Sequence, residues 1–206
     1  MKKFNFKNGF TIVEMLVAIS ILLIGVLGPL GVASRGISDG IYAKNQIAAT
    51  YLAQEAMEVF INTRNTNLIL EHQWLTGIDS DSGNSDDPYV DCIPNVSETR
   101  FCYVDAFDID LVQDSASPGL IDDAVATSEP PSQNQFQLQF CDSVGRYELK
   151  NKNCSGEWQG PIFTRWAEVT NRVPSQEIEV KVTVQWNNKN VSKELVLSQN
   201  LFHLKP

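Results

Sequence analysis

The chain has 206 residues and a formal net charge of −9 at pH 7, from 25 acidic and 16 basic residues. This acidic balance argues against unaided binding to nucleic acid or to an anionic membrane surface. After an N-terminal anchor, the length leaves room for one globular domain of about 140 residues, which is large enough to bury its own core.

A nearly unbroken apolar run extends from Phe10 to Ala33, and Glu14 is its single charged residue. As a helix, this run would be about 36 Å long at ~1.5 Å per residue, enough to cross the ~30 Å hydrocarbon core of a bilayer. The run therefore predicts one membrane-spanning helix. A carboxylate inside such a helix is costly in lipid and requires a partner.

The residues before the apolar run are basic, with charges at Lys2, Lys3 and Lys7. Lysines in this position favour a cytoplasmic N-terminus and an outer C-terminal part. A standard signal peptide is cleaved after its apolar run, whereas here Gly9 lies before the run. Cleavage between Gly9 and Phe10 would leave the helix on the mature chain, and losing three lysines would change the net charge from −9 to −12.

The segment 7–19 resembles the leader junction of type IV prepilins and type II secretion pseudopilins. The matching positions are Gly9 before the cut, Phe10 after it and Glu14 as the fifth mature residue. The resemblance implies cleavage by a prepilin peptidase, N-methylation of Phe10 and a role for Glu14 in assembly, where it would neutralise the N-terminal amine of a neighbouring subunit. The alternative is an ordinary signal anchor, in which Glu14 is an interfacial residue.

Gly28 and Pro29 lie in the second half of the apolar run. A proline inside a helix removes a hydrogen bond and bends the backbone, and membrane helices tolerate such bends. We therefore expect a helix bend at these two residues.

An amphipathic stripe then continues the helix to about Asn65. Within it, the segment 51–58 resembles minor pilins related to the type II secretion pseudopilin of the I kind. The resemblance implies an α+β, pilin-like fold, with a long N-terminal helix packed on a C-terminal antiparallel sheet. The expected divisions are the cleaved leader 1–9, the transmembrane helix 10–33, its amphipathic continuation 34–65 and the globular β domain 66–206.

Two polar stretches, 79–91 and 113–135, are expected to be surface loops that could contact partners. The first stretch superficially resembles a calcium loop. It departs from the EF-hand pattern, since Asn84 replaces the glycine of the sharp turn and Val90 replaces the bidentate glutamate. We expect a solvated loop, and its weak candidates for metal ligands are Asp79, Asp81, Asp86 and Asp87.

Four cysteines follow, at 92, 102, 141 and 154. An even number of cysteines outside the cytoplasm favours disulfides, and four cysteines allow three pairings. We favour the adjacent pairing, Cys92–Cys102 with Cys141–Cys154, because it closes two short loops that contain turn residues. No Cys-x-x-Cys pair supports a zinc site.

The C-terminal part has the alternating pattern of half-buried strands at 136–140, 162–170 and 178–186. The polar turn 187–190 and the apolar strand 191–201 complete a hairpin. The same strand–turn–strand order resembles the minor pilin and the I-type pseudopilin.

The sequence contains no serine nucleophile elbow, phosphate loop or His-Glu-x-x-His motif. We therefore predict a structural subunit without enzymatic activity or a cofactor, a minor pilin that primes or caps a type IV pilus. The I-type pseudopilin is the second choice. A signal-anchored extracytoplasmic enzyme or binding domain is a distant alternative, and an adhesive or DNA-binding tip subunit is another.

The resemblance also implies the surroundings of the chain. It would cross the inner membrane once with a cytoplasmic N-terminus and later join an extracytoplasmic filament at the cell surface. Its partners would be other pilins or pseudopilins, the prepilin peptidase, an inner-membrane assembly platform and membrane lipid. No direct contact with nucleic acid is expected.

Overall fold

The chain is described here by a computed structural model. It describes residues 11–71, 73–75, 78, 92, 101–102, 104, 124–125, 136–150, 154–173, 176–188 and 191–203. The chain divides into two compact units, Met1–Lys44 and Asn45–Pro206.

Within the described residues, one helix, α1, spans Ile12–Ile69 and contains Pro29. Thr11 precedes the helix, and its hydroxyl oxygen accepts a hydrogen bond from the backbone N–H of Glu14 at 3.3 Å. A threonine at this position satisfies one of the N–H groups that a helix end leaves without a partner.

The helix ends four residues later than the sequence pattern predicts, at Ile69 and not near Asn65. Asparagines usually favour turns, but Asn67 is fully buried here and its side-chain amide donates to the backbone carbonyl of Trp74 at 3.3 Å. This tertiary hydrogen bond stabilises the last turn. The helix is followed by Glu71, which has a positive φ of 58°.

In the part of the chain that the structure describes, seven strands follow the helix and form one antiparallel sheet. Their bounds are Phe101–Cys102 (β1), Ala124–Val125 (β2), Gln137–Cys141 (β3), Arg146–Leu149 (β4), Trp158–Val173 (β5), Glu177–Asn188 (β6) and Val191–Phe202 (β7).

Strand β5 is central because it pairs with three other strands. One edge pairs with β3 and, further along, with β1, while the other edge pairs with β6. Strand β6 continues the sheet to β7, β3 to β4 and β1 to β2. The predicted C-terminal hairpin is confirmed, with a register that is unbroken from Glu177 opposite Phe202 to Asn188 opposite Val191.

The expected loop 113–135 contains the short strand β2, which pairs with β1. Strand β4 was also absent from the sequence-based prediction. Both strands have five residues or fewer, so their length gives too little alternation to detect, and each depends on a partner strand that is distant or formed across a turn.

The core lies between the sheet and the C-terminal half of α1. Helix residues at spacings of three and four are buried and share one face: Asn45, Ala49, Leu52, Ala53, Ala56, Met57, Phe60, Thr63 and Asn67. Alternate residues of β6 are buried as well: Ile178, Val180, Val182, Val184 and Trp186. Full burial of a side chain as large as Phe60 is worth ~1.5–3 kcal/mol, so this face supplies much of the stability of the second unit.

Candidate assembly surface of the N-terminal helix

The first part of α1 has an apolar surface that is exposed on all sides. All side chains of residues 11–37 are exposed, including Ile12 at 82% and Val32 at 72%. Within the described residues, α1 is the one helix long and apolar enough to cross a membrane, and its most apolar 18-residue window is not buried at all. The core helix of a soluble domain would be mostly covered, so this surface requires lipid or other protein chains around it.

Glu14 is the single charge on this surface before Arg35. It lies in the first turn of α1, where the partial positive charge of the helix N-terminus favours a carboxylate. Its side chain is exposed, and no cation among the described residues forms an ion pair with it. In an apolar environment this carboxylate would therefore need a cation from elsewhere.

Four other predicted site residues belong to the N-terminal region. Gly9 and Phe10 lie outside the described residues. Gly28 and Pro29 lie inside α1, which is assigned as helix throughout this region, and a Cβ atom added at Gly28 would meet nothing within 4 Å. The bend at these two residues stays a prediction.

Comparison with protein families adds one finding to this geometry. The family model of the prokaryotic N-terminal methylation motif matches residues 5–28. The chain carries the N-terminal methylation motif, the hallmark of type IV pilins and pseudopilins. Comparison with curated proteins and with solved structures gave no match.

The matched segment contains Gly9, Phe10 and Glu14, and it ends at Gly28. It supports a membrane-anchored subunit of the pilin or pseudopilin class that a prepilin peptidase processes and that assembles with other pilins. The match ends well before the sheet, so the motif leaves open to which branch of this class the chain belongs.

Two disulfides join the adjacent cysteines, Cys92 to Cys102 and Cys141 to Cys154. Cys92 also donates its backbone N–H to the carbonyl of Ile78 at 3.0 Å. The first disulfide therefore connects the segment after α1 to strand β1. The second disulfide closes a loop between the end of β3 and the start of β5, and this loop contains β4.

The β3–β4 turn is held against the second disulfide loop. The Asp142 carboxylate accepts the backbone N–H of Glu157 at 2.7 Å and lies close to Gly156. Asp142 and the sulfurs of Cys141 and Cys154 come within 4.8 Å of one another, which is close enough for metal ligands. Because both sulfurs are in a disulfide, they are not available as thiolate ligands.

The calcium candidates Asp79, Asp81, Asp86 and Asp87 lie outside the described residues, as do most residues of the two predicted partner loops.

Sequence patterns did not reveal two tertiary clusters. Arg165, on the helix-facing side of β5, is buried and contacts α1. His203 stacks on Trp74, with ring centroids 5.4 Å apart. The alternating pattern of β5 could have indicated the first cluster, because it places Arg165 on the same face as Phe163 and Ala167.

Proposed function

We propose that the chain is a minor pilin that takes part in type IV pilus assembly as a priming, tip or incorporated subunit. The observation that carries the proposal is the exposed apolar part of α1, which bears the methylation motif and a single carboxylate. An apolar helix of this length is stable in lipid and equally stable when surrounded by similar helices. The same surface can therefore serve as a membrane anchor and later as part of a filament core.

The proposed maturation begins in the inner membrane, with the N-terminus in the cytoplasm and the sheet on the outer side. A prepilin peptidase cleaves between Gly9 and Phe10, and the new N-terminal amine of Phe10 is methylated. Removal of the three leader lysines eliminates charges that would oppose movement of the N-terminus out of the membrane surface.

The proposed role of Glu14 is to pair with the N-terminal amine of Phe10 on a neighbouring subunit. Both groups would be charged and surrounded by apolar side chains, where neither is stable alone. A subunit that enters the filament in the correct position satisfies both charges. A subunit displaced along the helix axis leaves both unpaired, so the pair would also select the axial position of each subunit.

The I-type pseudopilin of a type II secretion system is the second candidate. The segment 51–58 of α1 and the C-terminal hairpin resemble this pseudopilin as well as the minor pilins related to it. The length of the chain and its two long polar stretches favour a minor over a major subunit.

Deletion of the gene tests the two candidates against each other. The minor pilin proposal predicts that sheared surface filaments decrease in the deletion strain, that secretion of folded enzymes is unchanged, and that processed chain from a complementing copy is present in the sheared fraction. Loss of secretion with normal surface filaments would instead establish the pseudopilin. A strain with both filaments and secretion intact would contradict both.

A further inference from the structure

Arg165 is a buried arginine in the middle of strand β5, with 2% of its side chain exposed. Its guanidinium donates one hydrogen bond to the backbone carbonyl of Leu52 at 2.9 Å and another to that of Val104 at 2.5 Å. A carboxylate oxygen of Glu55 lies 3.5 Å from one guanidinium nitrogen. One side chain therefore connects helix α1, strand β5 and the segment after β1.

The part of α1 beside Arg165 is lined largely by small side chains. Ala49, Ala53 and Ala56 are each 0% exposed, and Leu52 is the one large buried side chain among them. The larger buried residues Met57 and Phe60 lie further toward the end of the helix. An alanine buries one methyl group and has no protruding shape to interlock with a sheet. Packing alone therefore holds this stretch less firmly than the stretch around Phe60.

We propose that Arg165 is a clamp that holds the alanine-lined stretch of α1, residues 49–56, on the sheet in a single register. If the helix moved by four residues in either direction, Val59 or Tyr51 would occupy the place of Glu55. The buried guanidinium would then have no carboxylate beside it, which is strongly unfavourable. Fixing a register is the best-attested role of a buried polar group.

This inference does not depend on filament assembly, because all the groups involved belong to the second unit of one chain. The position of the alanine-lined stretch on the sheet and the stability of the second unit are separate properties. The clamp determines where the alanine-lined stretch lies, whereas the apolar core determines most of the stability. A methionine at position 165 would keep the apolar stem and remove only the hydrogen bonds and the charge.

The test measures distances between spin labels in the full chain in detergent micelles. The four native cysteines are in disulfides, so only introduced cysteines react with the label. One pair is Gln54→Cys with Ser198→Cys, which reports on the alanine-lined stretch. The second pair is Asn65→Cys with Ser198→Cys, which reports on the end of α1. All three positions are exposed.

Arg165→Met is predicted to broaden the distance distribution of the 54–198 pair, or to add a second population, while the 65–198 pair keeps its native distribution. The matched control is Arg172→Met. This variant removes an exposed arginine of the same strand that pairs with Glu179, and it should leave both distributions unchanged.

Two results would overturn the clamp. One is an unchanged 54–198 distribution in Arg165→Met. The other is equal broadening of both pairs, which would show that Arg165 supports the whole domain and not this stretch. If Arg165→Met does not fold, Glu55→Gln decides: it should broaden the 54–198 pair alone, and an unchanged distribution in that variant overturns the clamp.

Discussion

The indole of Trp74 stacks on the imidazole of His203, with ring centroids 5.4 Å apart and planes within 2° of parallel. This contact joins the segment after α1 to the residue after the last strand. The backbone N–H of His203 donates to the carbonyl of Gln176 at 2.8 Å, and the carbonyl of Trp74 accepts from Asn67. Three separate parts of the chain therefore meet at this stack.

Replacing His203 with alanine should lower the free energy of unfolding by ~0.5–1.5 kcal/mol, the usual contribution of a stacked ring pair beyond its buried area. Urea unfolding followed by tryptophan fluorescence measures the loss. Gln199→Ala, at an exposed position of β7, is the control and should change stability by less than ~0.5 kcal/mol. Equal effects of the two variants would show that the stack contributes nothing.

Gly156→Ala should destabilise the second disulfide loop. A Cβ atom at this position would overlap a carboxylate oxygen of Asp142. This carboxylate accepts the backbone N–H of Glu157, so it must move and disturb that hydrogen bond, and overpacking of this kind costs ~1–3 kcal/mol.

A double-mutant cycle in urea isolates the Gly156 contact. In the Asp142→Ala background the carboxylate is gone, and the same glycine substitution should cost less. A cost that is independent of Asp142 would contradict the assigned clash.

Tyr147 should make stability depend on alkaline pH. Burial raises the pKa of its phenol above the ordinary value of 10.0, because desolvation disfavours the phenolate. The folded state therefore favours the neutral phenol. This contribution is fully present below the pKa of the unfolded chain and is lost as pH rises through the higher pKa of the folded chain.

Absorbance titration of the phenolate, taken as the difference between wild type and Tyr147→Phe, measures the pKa of this group. Urea unfolding at several alkaline pH values measures the linked stability, which should fall less steeply with pH in the variant. A Tyr147 phenol that titrates at the same pH in the native protein and in urea would contradict the effect of burial.

Glu14→Gln should reduce the chain in sheared filaments by roughly tenfold or more, equivalent to ~1.4 kcal/mol or more of lost pairing energy. Membrane insertion should not be impaired, because glutamine is neutral and equally long. Glu58→Gln is the matched control, since it removes an exposed carboxylate on the same helix. Quantitative immunoblots of membrane and sheared fractions provide the measurement, and normal incorporation of Glu14→Gln would contradict the proposed pairing.

The features predicted correctly from sequence are those that local patterns determine. The apolar run and the alternation of β6 extend over many residues, so helix α1 and the C-terminal hairpin were predictable. Helix α1 ends four residues beyond the predicted end, because the side-chain amide of Asn67 donates a hydrogen bond to the carbonyl of Trp74, which only the folded chain places beside it. Propensity gives no information about such a partner.

The exposed apolar surface of α1 was likewise predictable, and the contacts of Arg165 were not. Glu14 is conspicuous because it is alone in an apolar run, which a sequence shows directly. Arg165 contacts Leu52, which is 113 residues away along the chain. Alternation places an arginine on the buried face of β5, but it does not identify the acceptors on α1 or at Val104 that make this burial favourable.

The most direct test of the account is the intact mass and N-terminal peptide of the membrane-extracted chain, measured under non-reducing conditions with and without an active prepilin peptidase. We predict a mature chain that begins at N-methylated Phe10 and whose mass includes both disulfides. Retention of residues 1–9, while the same peptidase cleaves a known prepilin, would contradict the account and leave a plain signal-anchored domain.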